Sequence, residues 1–217
     1  MNHSIKHIIF DFDGSLLDTA PLILATMRAT FEKMGLPART EAECRSTIGL
    51  RLVDIPARLF PEHPGIGDEY AATYRSIFNE LQASYAPTMF PHVAETLAEL
   101  SKKGISMAVA SSRSHRSLVE LLELAELSQY FSSIIGGDDV KLGKPNPDPV
   151  LAVFKQAGWT SEGTLVVGDA DVDILMGKAA GCTTCGVTYG NGTLTELQNA
   201  GADHIINCFS ELMTLIG

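Results

Sequence analysis

The chain has 217 residues, of which 45% are hydrophobic and 19% are charged, and its formal net charge is -10 at pH 7. This length and composition favour one packed α/β domain, or a core domain with a smaller insert, and exclude a largely disordered chain. The net negative charge argues against nucleic acid or an anionic membrane surface as the main partner. No apolar run approaches the roughly 18 residues of a membrane-spanning helix, and the first residues lack a signal-peptide pattern, so we expect a cytoplasmic protein.

Short apolar runs with β-type composition alternate with helical stretches along most of the chain. This alternation predicts an α/β fold, a Rossmann-like parallel sheet flanked by helices, because parallel strands need crossover connections. Several of the runs are apolar throughout, as expected for strands that are buried on both faces. The predicted strands are Ile8–Phe10, Ile105–Ala110, Ser133–Ile135, Thr164–Val167, Thr184–Val187 and His204–Ile206.

Residues 16–84 interrupt this alternation, because they contain apolar stripes of helical spacing and no convincing strand. The stripe residues are Ile23, Met27, Phe31 and Met34 in one segment, and Tyr70, Tyr74, Ile77, Phe78 and Leu81 in another. We therefore predict a helical cap domain at 16–84, inserted after the first strand of a core domain formed by 1–15 and 85–217. The expected connections are Ser15–Thr19 and Ser84–Pro91, the second of which contains Pro87.

A helix is also predicted after residue 147. Asp148 is a plausible N-cap with Pro149 at the first helical position, and Gly158 can end the helix. The four cysteines are expected to be reduced thiols. Cys182 and Cys185 have the spacing of a metal or redox pair, but no second pair completes a zinc site, so we predict buried structural cysteines.

The first strand ends abruptly in two carboxylates, Asp11 and Asp13, followed by Gly14. Positions i and i+2 of a strand share a face, and a glycine lets the backbone leave the strand tightly, so both carboxylates can point at one site. In open parallel sheets, ligands bind beyond the carboxyl ends of the strands. The pattern favours a catalytic pair, although an acidic turn without chemistry would have the same composition.

The fourth predicted strand ends in a second acidic segment, Gly168 to Asp173. Asp169 and Asp173 are one helical turn apart and can face the same site, whereas Asp171 lies off that face and is interpreted as solvated or as a cap. Helix capping could explain part of this segment but not the number of its acids. Four carboxylates around one point would repel one another strongly, and an oxygen-only ligand set without His or Cys favours Mg²⁺.

Two further elements follow strand ends. Lys144 is held between Gly143 and Pro145, on a loop of restricted shape that could place its charge against a phosphoryl group, although a lone lysine is more often a solvated one. Ser111 and Ser112 follow the second strand, where hydroxyls and backbone N–H groups could bind phosphate or simply cap the next helix. The convergence of all these elements at strand ends is what supports a single site.

Together these segments resemble those of haloacid dehalogenase superfamily phosphatases, close to the phosphoglycolate phosphatase-like branch. The resemblance spans nearly the whole chain and is carried by Asp11-Phe-Asp-Gly-Ser-Leu-Leu-Asp-Thr19, Ala20-Pro21, Phe90–Leu97, Ser111, Gly143-Lys-Pro-Asn-Pro-Asp148, Gly168-Asp-Ala-Asp-Val-Asp173 and Gly201-Ala-Asp-His204. The departures are Ser15, where the family often has Thr, and Ala170, where Ser or Thr is common. Neither departure removes a side-chain ligand.

The resemblance implies a mechanism in which Asp11 attacks phosphorus and becomes an aspartyl-phosphate. Asp13 would act as general acid and then as general base, and its backbone carbonyl would join the carboxylates of Asp11 and Asp169 around Mg²⁺. Asp173 would act on the metal through water or orient Lys144. Ser111, Ser112 and Lys144 would hold phosphate oxygens. Arg51 is the candidate for contacting the far end of the substrate, although it could also be a solvated arginine, and Arg113 and His115 could lie at the rim of the site.

The predicted function is Mg²⁺-dependent hydrolysis of a small phosphate monoester, of phosphoglycolate or sugar phosphate type. The expected partner is therefore a small phosphorylated metabolite, with neither nucleic acid nor membrane involved, and the protein would be a monomer or homodimer. A mutase of β-phosphoglucomutase type is disfavoured, because the segment Thr19–Ala25 lacks the histidine of such enzymes. An inorganic pyrophosphatase and a non-catalytic phosphate-binding regulator stay open as alternatives.

Overall fold

The computed structural model describes residues 4–82, 84–85 and 88–216, and its centre is a six-stranded parallel sheet. The strands follow the order β3-β2-β1-β4-β5-β6 across the sheet. All six predicted strands are confirmed, and with them the α/β fold. Their bounds are β1 His7–Phe10, β2 Ser106–Ala110, β3 Phe131–Ile135, β4 Thr164–Gly168, β5 Thr183–Val187 and β6 His204–Ile206.

Strand β1 lies in the middle of the sheet and pairs with β2 on one side and β4 on the other. Ile8, Ile9 and Phe10 are completely buried, because helices cover both faces of the sheet. The apolar cluster that contains Phe10 packs against α5 Val93–Lys102 and α6 His115–Leu124, and the cluster that contains Ile9 packs against α7 Asp148–Ala157 and α8 Asp171–Ala179. The last helix is α9 Leu194–Asn199.

Helix α7 begins one residue earlier than the sequence predicts. Its N-cap is Pro147, so Asp148 is the first helical residue and Pro149 the second. The missing N–H of proline is tolerated at either position, because the first N–H groups of a helix have no partner within it. The helix ends as predicted at Gly158, whose φ of 74° is a left-handed conformation that glycine adopts without strain.

Between β1 and α5 the chain forms helices that have an apolar cluster of their own. The helices are α1 Ala20–Met34, α2 Glu41–Arg45, α3 Ile55–Leu59 and α4 Gly67–Gln82. Most residues of the predicted stripes are buried in this cluster, and its aromatic rings lie in contact, for example Phe31 and Phe60 with centroids 5.0 Å apart. We call residues 20–82, which comprise α1–α4 and the loops between them, the helical unit.

The two connections of the helical unit run side by side, and Leu17 forms an antiparallel bridge with Met89. Leu16 and Leu17 pack in the sheet cluster that contains Phe10, so the chain leaves the core after these residues. Pro87, in the second predicted connection, lies outside the described residues. None of the helices in the described part of the chain is sufficiently long and apolar to cross a bilayer.

The cysteine prediction is confirmed. Cys182 and Cys185 are free and buried, with exposed fractions of 7% and 0%. Burial raises the pKa of each thiol to about 12, because the interior disfavours the thiolate. They are therefore poor metal ligands and poor nucleophiles.

Candidate active site

The carboxyl ends of the central strands bring the predicted site residues to one edge of the sheet. Asp11 directly follows β1, Ser111 follows β2 and Asp169 follows β4. Asp173 lies in the first turn of α8, and Lys144 lies on the loop before α7. Asp11, Ser111, Lys144, Asp169 and Asp173 are all buried, so the structure brings together side chains that are separated by up to about 160 residues of sequence.

Lys144 connects two of the carboxylates. Its Nζ donates a hydrogen bond to Oδ1 of Asp11 and lies 2.7 Å from Oδ1 of Asp173. The Lys144 side chain is only 1% exposed. Burial by itself would lower the pKa of Lys144, but the charges of Asp11 and Asp173 raise it above its ordinary value. Lys144 is therefore a fixed, protonated cation and not the solvated lysine of the alternative interpretation.

Asp169 is held by residues of two neighbouring loops. Its Oδ2 accepts hydrogen bonds from the main-chain N–H of Asn191 at 2.6 Å and from the Asn191 side-chain amide at 3.1 Å, and its Oδ1 lies 3.4 Å from the Ser15 hydroxyl. A Cβ at Gly14 would overlap Oδ2 of Asp169, as would one at Gly190. The backbone therefore approaches this carboxylate so closely that only glycine fits.

Oxygen atoms of Asp11, Asp169 and Asp173 lie within 4.8 Å of one another. Burial raises the pKa of Asp11 well above its ordinary value, and burial followed by the charge of Asp173 raises the pKa of Asp169 to about 7. Three buried carboxylates thus face one buried ammonium group. This oxygen-only set fits a hard divalent cation such as Mg²⁺, which would supply the missing positive charge.

Asp13 has a different environment from the other acids. Its carboxylate accepts hydrogen bonds from the Thr19 hydroxyl at 2.6 Å and from two nitrogens of Arg113, Nη2 at 2.5 Å and Nε at 3.2 Å. Within the described residues, the acidic group that could hold a metal does not include the Asp13 carboxylate. The backbone carbonyl of Asp13 is the part of this residue that remains a candidate ligand.

The other predicted binding residues lie around this centre. Ser111 is buried and its Oγ accepts from the main-chain N–H of Arg113 at 3.1 Å. The Ser112 hydroxyl donates to the Gly49 carbonyl at 2.6 Å, and Arg51 donates to the Lys141 carbonyl at 3.3 Å while pairing with Asp54. Ser112 and Arg51 thus bridge the helical unit and the core. His115 pairs with Asp139 at 2.6 Å and is half exposed.

A cavity of about 930 Å³ lies between the helical unit and the core. Asp11, Asp13, Ser111 and Arg113 line its core side, whereas Tyr74, Phe78 and Arg51 belong to the helical unit. The cavity has room for a metabolite-sized ligand beside the acidic cluster, with apolar, polar and cationic groups on its walls.

Comparison with known proteins identifies the family. The family model for haloacid dehalogenase-like hydrolases matches residues 8–187. The chain belongs to the haloacid dehalogenase-like hydrolases. A phosphoglycolate phosphatase of Salmonella paratyphi A is 32% identical, over 99% of this chain and 93% of that protein. The resemblance predicted from the sequence is confirmed, and with it the enzyme class, a phosphatase of this family.

Solved structures agree with this assignment. A hydrolase from Pseudomonas syringae superposes with a TM-score of 0.85 and 25% identity, over 97% of each chain. A haloacid dehalogenase superfamily hydrolase of subfamily IA, variant 1, from Geobacter sulfurreducens has a TM-score of 0.70 and 29% identity, over 99% of this chain and 98% of that one. The fold of this haloacid dehalogenase-like hydrolase is therefore that of known hydrolases along its whole length.

The structure assigns contacts in the candidate site to two residues of this haloacid dehalogenase-like hydrolase, Asn191 and Arg113, for which the sequence provides little or no indication. Asn191 holds Asp169, and its signal in the sequence is its position between Gly190 and Gly192, just after a strand that ends at the same edge as β1. Arg113 was a weak candidate for the rim of the site, but its side chain is 9% exposed and pairs directly with Asp13. The order of residues after β2 does not reveal the direction of that side chain.

Proposed function

We propose that the chain hydrolyses a small phosphate monoester, of phosphoglycolate or sugar phosphate type, in a Mg²⁺-dependent reaction through an aspartyl-phosphate on Asp11. The observation that carries this proposal is the contact of Lys144 with both Asp11 and Asp173 beside Asp169, at the sheet edge that opens into the cavity. The arrangement offers a nucleophile, a fixed cation and a set of metal ligands within one small volume.

In the first step, a carboxylate oxygen of Asp11 would attack phosphorus while the bond from phosphorus to the ester oxygen breaks. Asp13 would give a proton to the departing oxygen, so that the leaving group departs as an alcohol. In the second step, Asp13 would take a proton from a water molecule whose oxygen attacks phosphorus. The bond to Asp11 then breaks, and inorganic phosphate and free Asp11 are the products.

The buried cation at Lys144 would hold an equatorial oxygen of the phosphoryl group throughout, and the Ser111 hydroxyl would hold another. Asp11, Asp169 and the backbone carbonyl of Asp13 would hold Mg²⁺, with Asp173 beside them, and the ion would neutralise charge that develops on the phosphoryl oxygens. Because Lys144 also contacts Asp173, that carboxylate would keep the ammonium group oriented toward Asp11.

We further propose that residues 16–84 act as a cap over the core of 1–15 and 85–217. The helical unit supplies one wall of the cavity, and Arg51 and the Gly49 carbonyl of this unit meet the core through Lys141 and Ser112. Closure of such a cap would exclude water from the phosphoryl group and contact the leaving group. In this role Arg51 would lie at the far end of the substrate.

The test is phosphate release by purified protein from phosphoglycolate, sugar phosphates, nucleotides and pyrophosphate, with and without Mg²⁺. We expect Mg²⁺-dependent turnover of at least one monoester, and its reduction by at least about a thousandfold in Asp11→Asn, because an amide is a poor nucleophile. Asp171→Asn is the matched control, since this exposed acid is the first residue of α8, between Asp169 and Asp173 in the sequence, but its carboxylate accepts a hydrogen bond from the main-chain N–H of Val172. Equal turnover by Asp11→Asn and the parent protein would reject Asp11 as the nucleophile. A preference for pyrophosphate over every monoester would reject phosphate monoesters as the substrate class.

A further inference from the structure

Arg113 is a buried cation that the proposed chemistry does not use. Its side chain is 9% exposed, and its guanidinium carbon lies 4.9 Å from the ring centroid of Phe78 and 5.8 Å from that of Phe12. Phe78 belongs to α4 of the helical unit and Phe12 to the core. One ring of the helical unit and one ring of the core therefore hold the guanidinium group in place.

The hydrogen-bond donors of Arg113 are directed at the residue expected to transfer the proton. Nη2 and Nε contact the two oxygens of Asp13, and Nη1 donates to the Ser117 hydroxyl at 3.1 Å. With the Thr19 hydroxyl, Asp13 accepts three hydrogen bonds. A carboxylate in this arrangement has its oxygens occupied as acceptors and has no proton to give to a leaving oxygen. Asp13 must separate from Arg113 before it can act as an acid.

We propose that Arg113 binds a carboxylate on the leaving group of the substrate, and that this exchange of partners frees Asp13 to take up a proton from solvent and pass it to the ester oxygen. The proposal rests on the proposed function and adds a specificity residue to it. The planar fork of a guanidinium matches a carboxylate with two parallel hydrogen bonds, which is how Arg113 already engages Asp13. A carboxylate of the substrate can replace that of Asp13 without a change in the local charge.

The geometry also limits where the carboxylate of the substrate can be. While Asp13 stays within hydrogen-bonding distance of the ester oxygen, the incoming carboxylate must reach a guanidinium group that touches Asp13 in the free protein. The two groups of the substrate must therefore be only a few covalent bonds apart, as in the phosphate ester of a small 2-hydroxy acid. A substrate with a neutral leaving group has no carboxylate to bind Arg113, so Arg113 stays paired with Asp13.

The other arginines that line the cavity, Arg51, Arg75 and Arg116, are all more exposed than Arg113 and do not contact Asp13. Arg116 is 89% exposed and pairs with Glu120, one turn along the same helix. Arg51 pairs with Asp54 on its own helical unit. Arg113 combines burial with direct contact to Asp13, so selectivity for a carboxylate and release of the acid are coupled in one residue.

The first test compares two substrates of similar size, phosphoglycolate and 2-hydroxyethyl phosphate. In Arg113→Gln we expect kcat/KM for phosphoglycolate to fall about 100-fold, because a buried charged contact is lost, whereas kcat/KM for the neutral ester does not fall. Arg113→Lys should recover part of the loss. Arg116→Gln, three residues further along the chain and also in the lining of the cavity, is the matched control and should retain the parent selectivity.

Equal losses on both substrates would show that Arg113 only supports the structure, and an undiminished rate on phosphoglycolate would show that it does not contact the carboxylate. Either result overturns the proposal. Circular dichroism and the thermal midpoint of each variant establish that it is folded.

A second test needs no turnover. Calorimetry with Mg²⁺ compares the binding of 3-phosphonopropionate, which carries a carboxylate, with that of propylphosphonate, which does not. We expect the parent protein to bind the first at least about tenfold more tightly and Arg113→Gln to bind both alike. Equal binding of the two by the parent protein overturns the role of Arg113. Failure of the proposed function would instead appear as the absence of Mg²⁺-dependent turnover of every phosphate ester by the parent protein.

Discussion

Asp169 receives two hydrogen bonds from Asn191, one from its main-chain N–H and one from its side-chain amide, on the same carboxylate oxygen. Asn191 also accepts from Arg45 of the helical unit at 3.3 Å. The loop after β5 thus fixes the direction of a predicted metal ligand, and a residue of the helical unit contacts that loop. The affinity for a metal ion depends on the ligand and also on the groups that are hydrogen-bonded to that ligand.

Replacement of Asn191 by Ala removes the side-chain amide and leaves the main-chain bond. We expect the affinity for Mg²⁺ to fall about tenfold, because Asp169 loses part of its orientation. Titration calorimetry with Mg²⁺ measures this directly. Asn199→Ala, at an exposed position in α9, is the control. An unchanged affinity in Asn191→Ala would mean that the main-chain bond alone orients Asp169.

Gly14 and Gly35 provide a matched pair of substitutions, since φ is positive at both, 97° and 65°. A Cβ at Gly14 would overlap Asp169, whereas one at Gly35 would meet nothing within 4 Å. Gly35→Ala should cost about 1 to 2 kcal/mol of stability through backbone strain and leave activity intact. Gly14→Ala should have the same backbone strain and should also lose Mg²⁺ binding and turnover, because its Cβ would displace the Asp169 carboxylate. Similar effects of both substitutions on activity would contradict the close approach of Gly14 to the site.

Lys144→Met tests the electrostatic role of the buried lysine. Without its cation, Asp11, Asp169 and Asp173 face one another uncompensated, so we expect a loss of about 3 kcal/mol in the free energy of unfolding, measured by urea in the absence of metal. Added Mg²⁺ should restore part of this loss, because it replaces the missing charge. Lys141→Met, at an exposed position of the same loop, should be neutral. A variant as stable as the parent without metal would contradict the buried ion pairs.

The raised pKa of Asp169, about 7, predicts how metal binding depends on pH. The folded, metal-free protein binds this proton more tightly than the unfolded chain does, so this group contributes stability below about pH 4 that is lost as pH rises through about 7. Mg²⁺ competes with the same proton. The increase in thermal midpoint that Mg²⁺ produces should therefore grow from about pH 5.5 to about pH 8. An increase that does not vary with pH would contradict this competition.

The sequence predicts the sheet well because buried parallel strands have a distinctive composition. Ile8–Phe10 is wholly apolar, and the acids that follow it and β4 could be placed at one edge by topology alone. Lys144 could be added because the resemblance to a family supplied its role. The predicted start of α7 was wrong by one residue. Proline is tolerated at either of the first two helical positions, so Pro149 does not by itself fix where the helix begins.

The contacts of Arg113 and Asn191 could not be predicted in this way. They depend on side-chain directions and on how close two loops come, which neither periodicity nor spacing determines. Asp13 illustrates the difference: its place at the end of β1 follows from the sequence, but its pairing with Arg113 and Thr19 follows from packing between the core and the helical unit.

The central position of β1 has a consequence for how the protein is made. His7 pairs with Ser106 on one side and with Thr164 on the other, so β1 leaves the ribosome long before either of the strands that flank it. The helical unit, with its local contacts, can fold during this interval, whereas the sheet depends on contacts between distant segments and forms late. The acids that end β1 and β4 are therefore kept apart until β4 has been synthesised, and a shorter nascent chain has no functional centre.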